Sequence, residues 1–318
     1  MGSTINYVSR DAAAYLTEFS TQFDAALALG EVEPWARTYG LTNSSKAIKT
    51  TYPLPVSAAG YVERKGDDKL RALFEKSLSM SPKEWVDGVA ELARIIEAPD
   101  FIGWASEPAR IAKEAQRQPN VLVAALLAAN PTLEFDGKAL FAADHPINVF
   151  DPAGASFDND HTYAAGIDAT FVSETKARFR KKKGPNGQPM GLRFTHLLLP
   201  SAMEEEAKDF FESDILVQAV RNLAATENVA AANVQNRHKG TITLVICDEL
   251  SSDTIGYALD GSSGALPWIV QDGGSPEEIR YDKDSELYKN TGKVGVKYVL
   301  TMAAAAALPH AIERITFA

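Results

Sequence analysis

Over residues 11–29 the apolar positions Tyr15, Leu16, Phe19, Phe23, Ala26 and Leu27 recur at helical spacing. Asp11 is placed to cap such a helix and Gly30 to end it. The pattern then changes. Trp35, Tyr39, Tyr52, Val56, Tyr61 and Val62 lie among Pro53, Pro55 and Gly60, which reads as extended chain with turns over 34–62. Asn43-Ser44-Ser45 fits a glycosylation sequon and is read as a turn. Residues 63–84 are strongly charged, with a short helical period at Leu70–Leu78, and Trp85–Ile95 returns to a strand-like pattern. The block from about 45 to 97 reads as one excursion from a body. A hairpin arm of ~15 residues would reach about 50 Å, so it would have to rest on a neighbour.

Ser106-Glu107-Pro108 opens a helical stretch, and Pro119 is expected to interrupt it and restart a second helix through Val121–Ala129. Residues 147–165 are rich in Asp, Gly, Asn and Pro and read as loop. A helix is expected over 168–182 and a strand over Leu192–Leu199. The next helix has Ser201 as N-cap and Glu204 completing a capping box, with Glu205 and Glu206 suiting its N-terminal dipole. A further helix is read over Asp214–Ala225 and a strand over Thr241–Cys247. The chain ends in strands marked by Val294, Val296, Tyr298, Ile312 and Ile315. There is no internal repeat, and the order of elements is that of an α+β chain.

Length and composition bound the function. The chain has 318 residues, 45% hydrophobic and 23% charged, enough for about two domains or one elaborate one. A net charge of −10 argues against wrapping nucleic acid, because phosphate neutralisation needs a cationic face. It suits a protein held in solution at high copy number. One cysteine, Cys247, allows no disulfide within the chain and fits a reducing cytoplasm. No signal peptide is read at Met1–Asn6, and the longest apolar runs, Val121–Ala129 and Met302–Leu308, are too short to cross a bilayer.

Catalytic signatures are missing. The five histidines form no HExxH or HxxxH pair, and there is no CxxC, P-loop, nucleophile elbow or GxGxxG. Asp144-His145-Pro146 resembles an acid–base pair, but no nucleophile accompanies it, so His145 is read as bonded within a turn fixed by Pro146. His196 reads as a packed strand histidine, and Cys247 as a buried thiol. The expectation is a protein that is not an enzyme, with no catalytic, metal or cofactor residues. The basic run Arg178–Lys183, with Arg180, Lys181 and Lys182, reads as a solvated helix end. Its other readings are a nucleic-acid patch or an inter-subunit salt-bridge surface facing acidic residues such as Glu204 and Glu205.

Phe135-Asp136-Gly137-Lys138-Ala139-Leu140-Phe141-Ala142-Ala143-Asp144-His145-Pro146 resembles the segment after the long helix in the major head subunit of Mu-like tailed phages. Other stretches agree in order. They are Asn43-Ser44-Ser45, then Gly191–Pro200 with Thr195-His196, then Leu244–Leu250, and loosely Pro267–Gln271. The resemblance spans about residues 35–270. It implies an α+β capsid fold of the Hong Kong 97 type, divided into an N-terminal arm (1–45), an extended loop (46–98), a peripheral domain with a spine helix (99–195) and an axial domain (196–270). Residues 271–318 would form strands returning to the peripheral domain.

The implied function is a major capsid protein that assembles into hexamers and pentamers of an icosahedral head around double-stranded DNA, bound without sequence specificity. The virion would be its location, after assembly in the bacterial host cytoplasm. The implied partners are further copies of the chain, a separate scaffolding or protease protein, a portal and a decoration protein. Cofactors and membranes have no part. Candidate inter-subunit contacts are Tyr61, Glu63, Arg64, Lys65, Asp67 and Asp68 in the loop, with Arg180, Lys181, Lys182, Glu204 and Glu205 outside it. Residues 63–82 are longer and more charged than the family pattern. The alternatives are an encapsulin-like nanocompartment shell and a cytoplasmic enzyme.

Overall fold

The computed structural model describes residues 11–55, 75–98, 103, 106–184, 187–221, 229–262 and 264–317. The chain opens with helix α1 (Ala12–Leu29), capped by Asp11 and ended by Gly30 in the left-handed conformation, as the pattern predicts. A short helix α2 (Trp35–Tyr39) leads to strands β1 (Leu41–Ser44) and β2 (Thr50–Pro55), then β3 (Glu75–Met80) and β4 (Lys83–Leu92). Helices α3 (Ala93–Ile96) and α4 (Glu107–Ala129) follow, then short strands β5 (His145–Pro146), β6 (Ser156–Phe157) and β7 (Asp160–Tyr163). Next come α5 (Ala169–Lys181), β8 (His196–Leu199), α6 (Glu204–Glu212), β9 (Ile215–Arg221), β10 (Val229–Gln235), β11 (Thr243–Ile246) and β12 (Ile255–Leu259). The chain closes with β13 (Trp268–Asp272), β14 (Glu277–Tyr281), α7 (Glu286–Thr291), β15 (Lys293–Ala306) and β16 (Ile312–Phe317).

Two five-stranded sheets organise the molecule. The first runs β1-β13-β15-β14, and β4 lies along the other side of β15, paired antiparallel from Lys293↔Leu92 to Met302↔Lys83. The second runs β11-β8-β12-β16-β7. Hairpins β2–β3 and β9–β10 stand as separate two-stranded ribbons.

Helices α1 and α4 cover the first sheet. Tyr15, Phe19, Phe23 and Ile111 pack on Val294, Val296 and Tyr298, and Phe23 stacks on the Tyr298 ring at 3.6 Å between centroids. A second cluster joins Trp35, Leu54, Leu78, Val123, Leu127 and Trp268, so the root of the β2–β3 hairpin is anchored in the body. The second sheet packs Leu197, Leu199 and Ile315 against Phe171 and Phe179 of α5 and Phe211 of α6.

Several expectations are corrected. Pro119 does not split the long helix, because α4 runs unbroken from Glu107 to Ala129. An interior proline removes one backbone bond and costs about 3 kcal/mol. Burial of Ile111, Ala112, Val123, Ala124 and Leu127 outweighs that cost. The neighbouring Asn120 adds side-chain bonds to Ala36 N (3.2 Å) and Glu33 O (2.8 Å). Residues 215–221 form a strand, not the start of a helix; Ile215, Leu216, Val217 and Val220 are β-branched or aliphatic, and the run pairs fully with Val229–Gln235. A short apolar run does not distinguish the two periods.

The capping box at Ser201 does not form. Ser201–Met203 is a 3₁₀ turn without a side-chain cap, and α6 starts at Glu204. Asn43 and Ser44 are not a turn, because they pair in parallel with Gln271 and Asp272. The strand expected at Leu192 is laddered only from His196. Over residues 75–78 the structure shows strand β3, not the helical period read at Leu70–Leu78. Because β4 lies in the body sheet, the excursion read over 45–97 has rejoined the body by Lys83.

Candidate assembly surfaces and the buried polar network

Tyr61, Glu63, Arg64, Lys65, Asp67 and Asp68 lie outside the described residues. At the end of α5, Arg180 and Lys181 are exposed, as a solvated helix end requires. Lys182 is different. Its side chain is 3% exposed and its Nζ donates to the His310 carbonyl at 2.9 Å. It therefore leaves the surface run, because α5 turns this residue inward against β16. Glu204 is half-buried and pairs with Lys208, while Glu205 is exposed in the first turn of α6. The structure does not bring Arg180 and Lys181 together with Glu204 and Glu205 in any ion pair among the described residues.

Lys182 belongs to a network centred on Glu313, a carboxylate with no exposed surface in β16. Arg178 donates to Glu313 Oε2 from Nε (3.0 Å) and Nη2 (2.9 Å), and also to the Tyr163 hydroxyl at 2.7 Å. Lys182 Nζ sits 3.0 Å from Glu313 Oε1, yet Oε1 accepts no hydrogen bond, so this contact is an ion pair off the bonding direction. Burial pulls the Lys182 ammonium below its ordinary value, opposed by Glu313. Burial likewise lowers Arg178, but Glu313 and Tyr163 outweigh it and leave the guanidinium above its ordinary value. His161, 3.8 Å from Glu313, is lowered by burial and by Arg178.

Beside this network the loop after α4 folds onto the body. His145 is fully buried, with Nδ1 2.6 Å from Asp136 and Nε2 3.1 Å from Leu140 O. Its neighbour Asp144 points out to Lys138. The adjacent acid–base pair thus does not exist in space, and His145 braces its loop. Asn159, fully buried, holds Ala142 N (2.9 Å), Leu140 O (2.8 Å) and Pro309 O (3.2 Å). His196 lies between Tyr39, 4.5 Å away, and the Thr195 hydroxyl, 2.8 Å from Nδ1. The glycine at 261 is required here, because a Cβ would fall 2.3 Å from that nitrogen. Cys247 is buried directly after β11, and burial first, then Glu249, pushes its thiol well above the ordinary range.

Sequence reasoning missed Glu313 and Asn159. Glu313 carried a signal, a lone acid between Ile312 and Ile315 in an apolar strand, where a buried charge must find partners. Asn159 sat in a run read only as loop. Among the described residues no group of His, Cys, Asp and Glu could hold a metal ion, and no helix is long and apolar enough to cross a membrane.

The long helix packed on one five-stranded sheet, the second five-stranded sheet and the two separate two-stranded ribbons define the class: this is the Hong Kong 97-type fold of phage capsid subunits. The chain belongs to the phage capsid protein family, whose model matches residues 91–315. A model of the Mu-like prophage major head subunit gpT also matches, over residues 13–167. The procapsid protein of bacteriophage JBD30 superposes with a TM-score of 0.52 at 15% identity, covering 96% of this chain and 75% of that one. The capsid protein of the native GTA particle gives 0.55 at 12% identity, covering 90% of each. A virus-like particle from Pyrococcus furiosus gives 0.51 at 7% identity, with 94% and 99% covered. A comparison with curated protein sequences found no match.

Proposed function

We propose that the chain is the major capsid protein of a tailed phage head, working by assembly with copies of itself into hexamers and pentamers of an icosahedral shell around DNA. The observation that carries this reading is the phage capsid family match across residues 91–315, joined to the fold that the described residues adopt. An enzyme would need a converging set of reactive groups. The buried histidines 145 and 310 are instead closed off from solvent.

In this reading residues 1–45 form the arm, with α1 lying on α4, the spine helix. The extended loop of 46–98 rises from the β2–β3 root, reaches a neighbouring subunit and returns as β4. Residues 99–195 form the peripheral domain. Residues 196–270 form an axial domain that presents α6 and the β9–β10 hairpin toward the capsomer centre; of 271–318, β14 and β15 rejoin the peripheral domain, while β16 pairs with β12. Arg180, Lys181, Glu204 and Glu205 remain candidates for contacts between copies, joined by the loop residues 61–68. The net charge of −10 keeps the wall from holding packaged DNA tightly. Scaffolding, portal and decoration proteins complete the proposed assembly, and the virion is its location.

Negative-stain electron microscopy with size-exclusion chromatography tests the reading, on the protein expressed alone and with its neighbouring genes. Closed shells, rings of five or six, or tubes are expected. A monomer or dimer under every condition overturns it.

A further inference from the structure

Strand β4 is paired on one side only. Its ten residues bond to β15, and no other strand among the described residues meets its outer edge. Extended chain of this length presents about 30 Å of backbone donors and acceptors. Trp85 and Val89 point under α1 and α4, while Val86, 58% exposed, and its even-numbered neighbours face outward. Such an edge recruits strands unless it is blunted. Two carboxylates blunt it. Asp87 Oδ1 accepts the Gly88 N–H and Glu91 Oε1 accepts the Leu92 N–H, each at 2.8 Å. These donors are turned to the preceding side chain, not to β15. Asp87 is in turn tethered through Oδ2 to Arg110 of α4 at 3.2 Å.

The geometry points to β4 as an assembly edge that pairs antiparallel with β4 of a second copy across a twofold axis, in the register centred on Asp87. This rests on the assembly reading above. Self-complementarity selects a second copy as the occupant. In that register Lys83 faces Glu91 at both ends and Val86 faces the side-chain-free Gly88 on both sides of the axis. Only the centre opposes, where Asp87 meets Asp87, and each brings its own Arg110. The carboxylate blunting and the central repulsion keep lone subunits apart. The high local concentration of a growing shell overcomes both.

The register makes a sharp test. The two Asp87 positions would form a non-hydrogen-bonded pair, with Cα atoms about 4.5 Å apart, within disulfide range. In the full chain, Asp87→Cys is expected to link most subunits of purified shells into covalent pairs under mild oxidant. Glu84→Cys, whose partner is Ala90, stays unlinked. Lys83→Glu and Glu91→Lys singly should each lower shell yield about tenfold, and the double exchange should restore it. Shells in which Asp87→Cys stays unlinked, or links no better than Glu84→Cys, overturn the edge while leaving the capsid reading standing. So does a disulfide that joins the Asp87→Cys variant to a different protein. Failure of the unsubstituted chain to form any large assembly removes both.

Discussion

Nδ1 of His145 lies 2.6 Å from Oδ2 of Asp136, and neither side chain has any exposed surface. Asp136 Oδ1 also accepts the Lys138 N–H at 3.0 Å, and His145 stacks on Phe157 at 5.2 Å. The pair pins the loop after α4 from both ends. Asp136→Ala is expected to lower the unfolding free energy of the unassembled subunit by about 3–5 kcal/mol, as breaking a buried pair does. Urea denaturation measures this; a loss below about 1 kcal/mol would show that the pair contributes little.

Glu313 offers the same logic with more partners. Glu313→Gln leaves Arg178 and Lys182 buried around a neutral amide and should cost about 3–5 kcal/mol. Lys182→Met is expected to cost less, and the double variant less than the sum of the singles, because both touch one network. A double-mutant cycle in urea checks this. Strict additivity would show that the two side chains do not interact.

His310 makes stability depend on acidity. Burial first, then the electrostatic influence of Lys182 and of His145, pushes its imidazole down to about 3, with Asp136 opposing. The ordinary value is 6.5, so between pH 6.5 and about 3 the unfolded chain takes up a proton that the folded chain refuses. Its contribution is therefore whole above pH 6.5 and drains as the pH falls toward 3, by about 1.4 kcal/mol per unit. The downward shifts of His161, His196 and His238 carry the same sign. His310→Phe should flatten the loss of melting temperature between pH 6.5 and 4, and an unchanged slope would assign the acid sensitivity to other groups.

Cys247 is 1% exposed and its thiol is raised by burial. At pH 8 the native chain should react with a thiol reagent at least about a hundredfold more slowly than the urea-unfolded chain, because the thiolate is the reactive form. Rapid labelling without denaturant would mean that the region after β11 opens readily.

Where the sequence was legible, the physics was local. Asp11 and Gly30 bound α1, and the apolar period of Tyr15, Phe19 and Phe23 gave its buried face. The start signal Ser106-Glu107-Pro108 also told the truth about α4, but the weight given to Pro119 misled, and the second half of the helix buries Val123, Ala124 and Leu127 while Val121 and Ala129 are exposed. Illegible features were those decided by distant partners. The 215–221 strand exists because 229–235 pairs with it, and Asn43 is strand because β13 lies beside it. The site behaved likewise. Arg180 and Lys181 could be read as surface from the run itself. Lys182, one residue on, is claimed by a glutamate in the last strand, a relation that no short window contains.

The order of strands within the sheets bears on how the subunit is made. β15 is the strand on which β13, β14 and β4 all pair, and β16 stands between β12 and β7. Both sheets therefore take a central strand from residues 293–317. A ribosome-bound chain lacks those strands until residues 293–317 have emerged, and the long sequence separations make closure slow. Until then β4 and β13 have no β15 to ladder on, so a nascent subunit cannot offer a finished surface to a growing lattice. Translation itself thus sets the earliest moment at which a copy becomes competent to join.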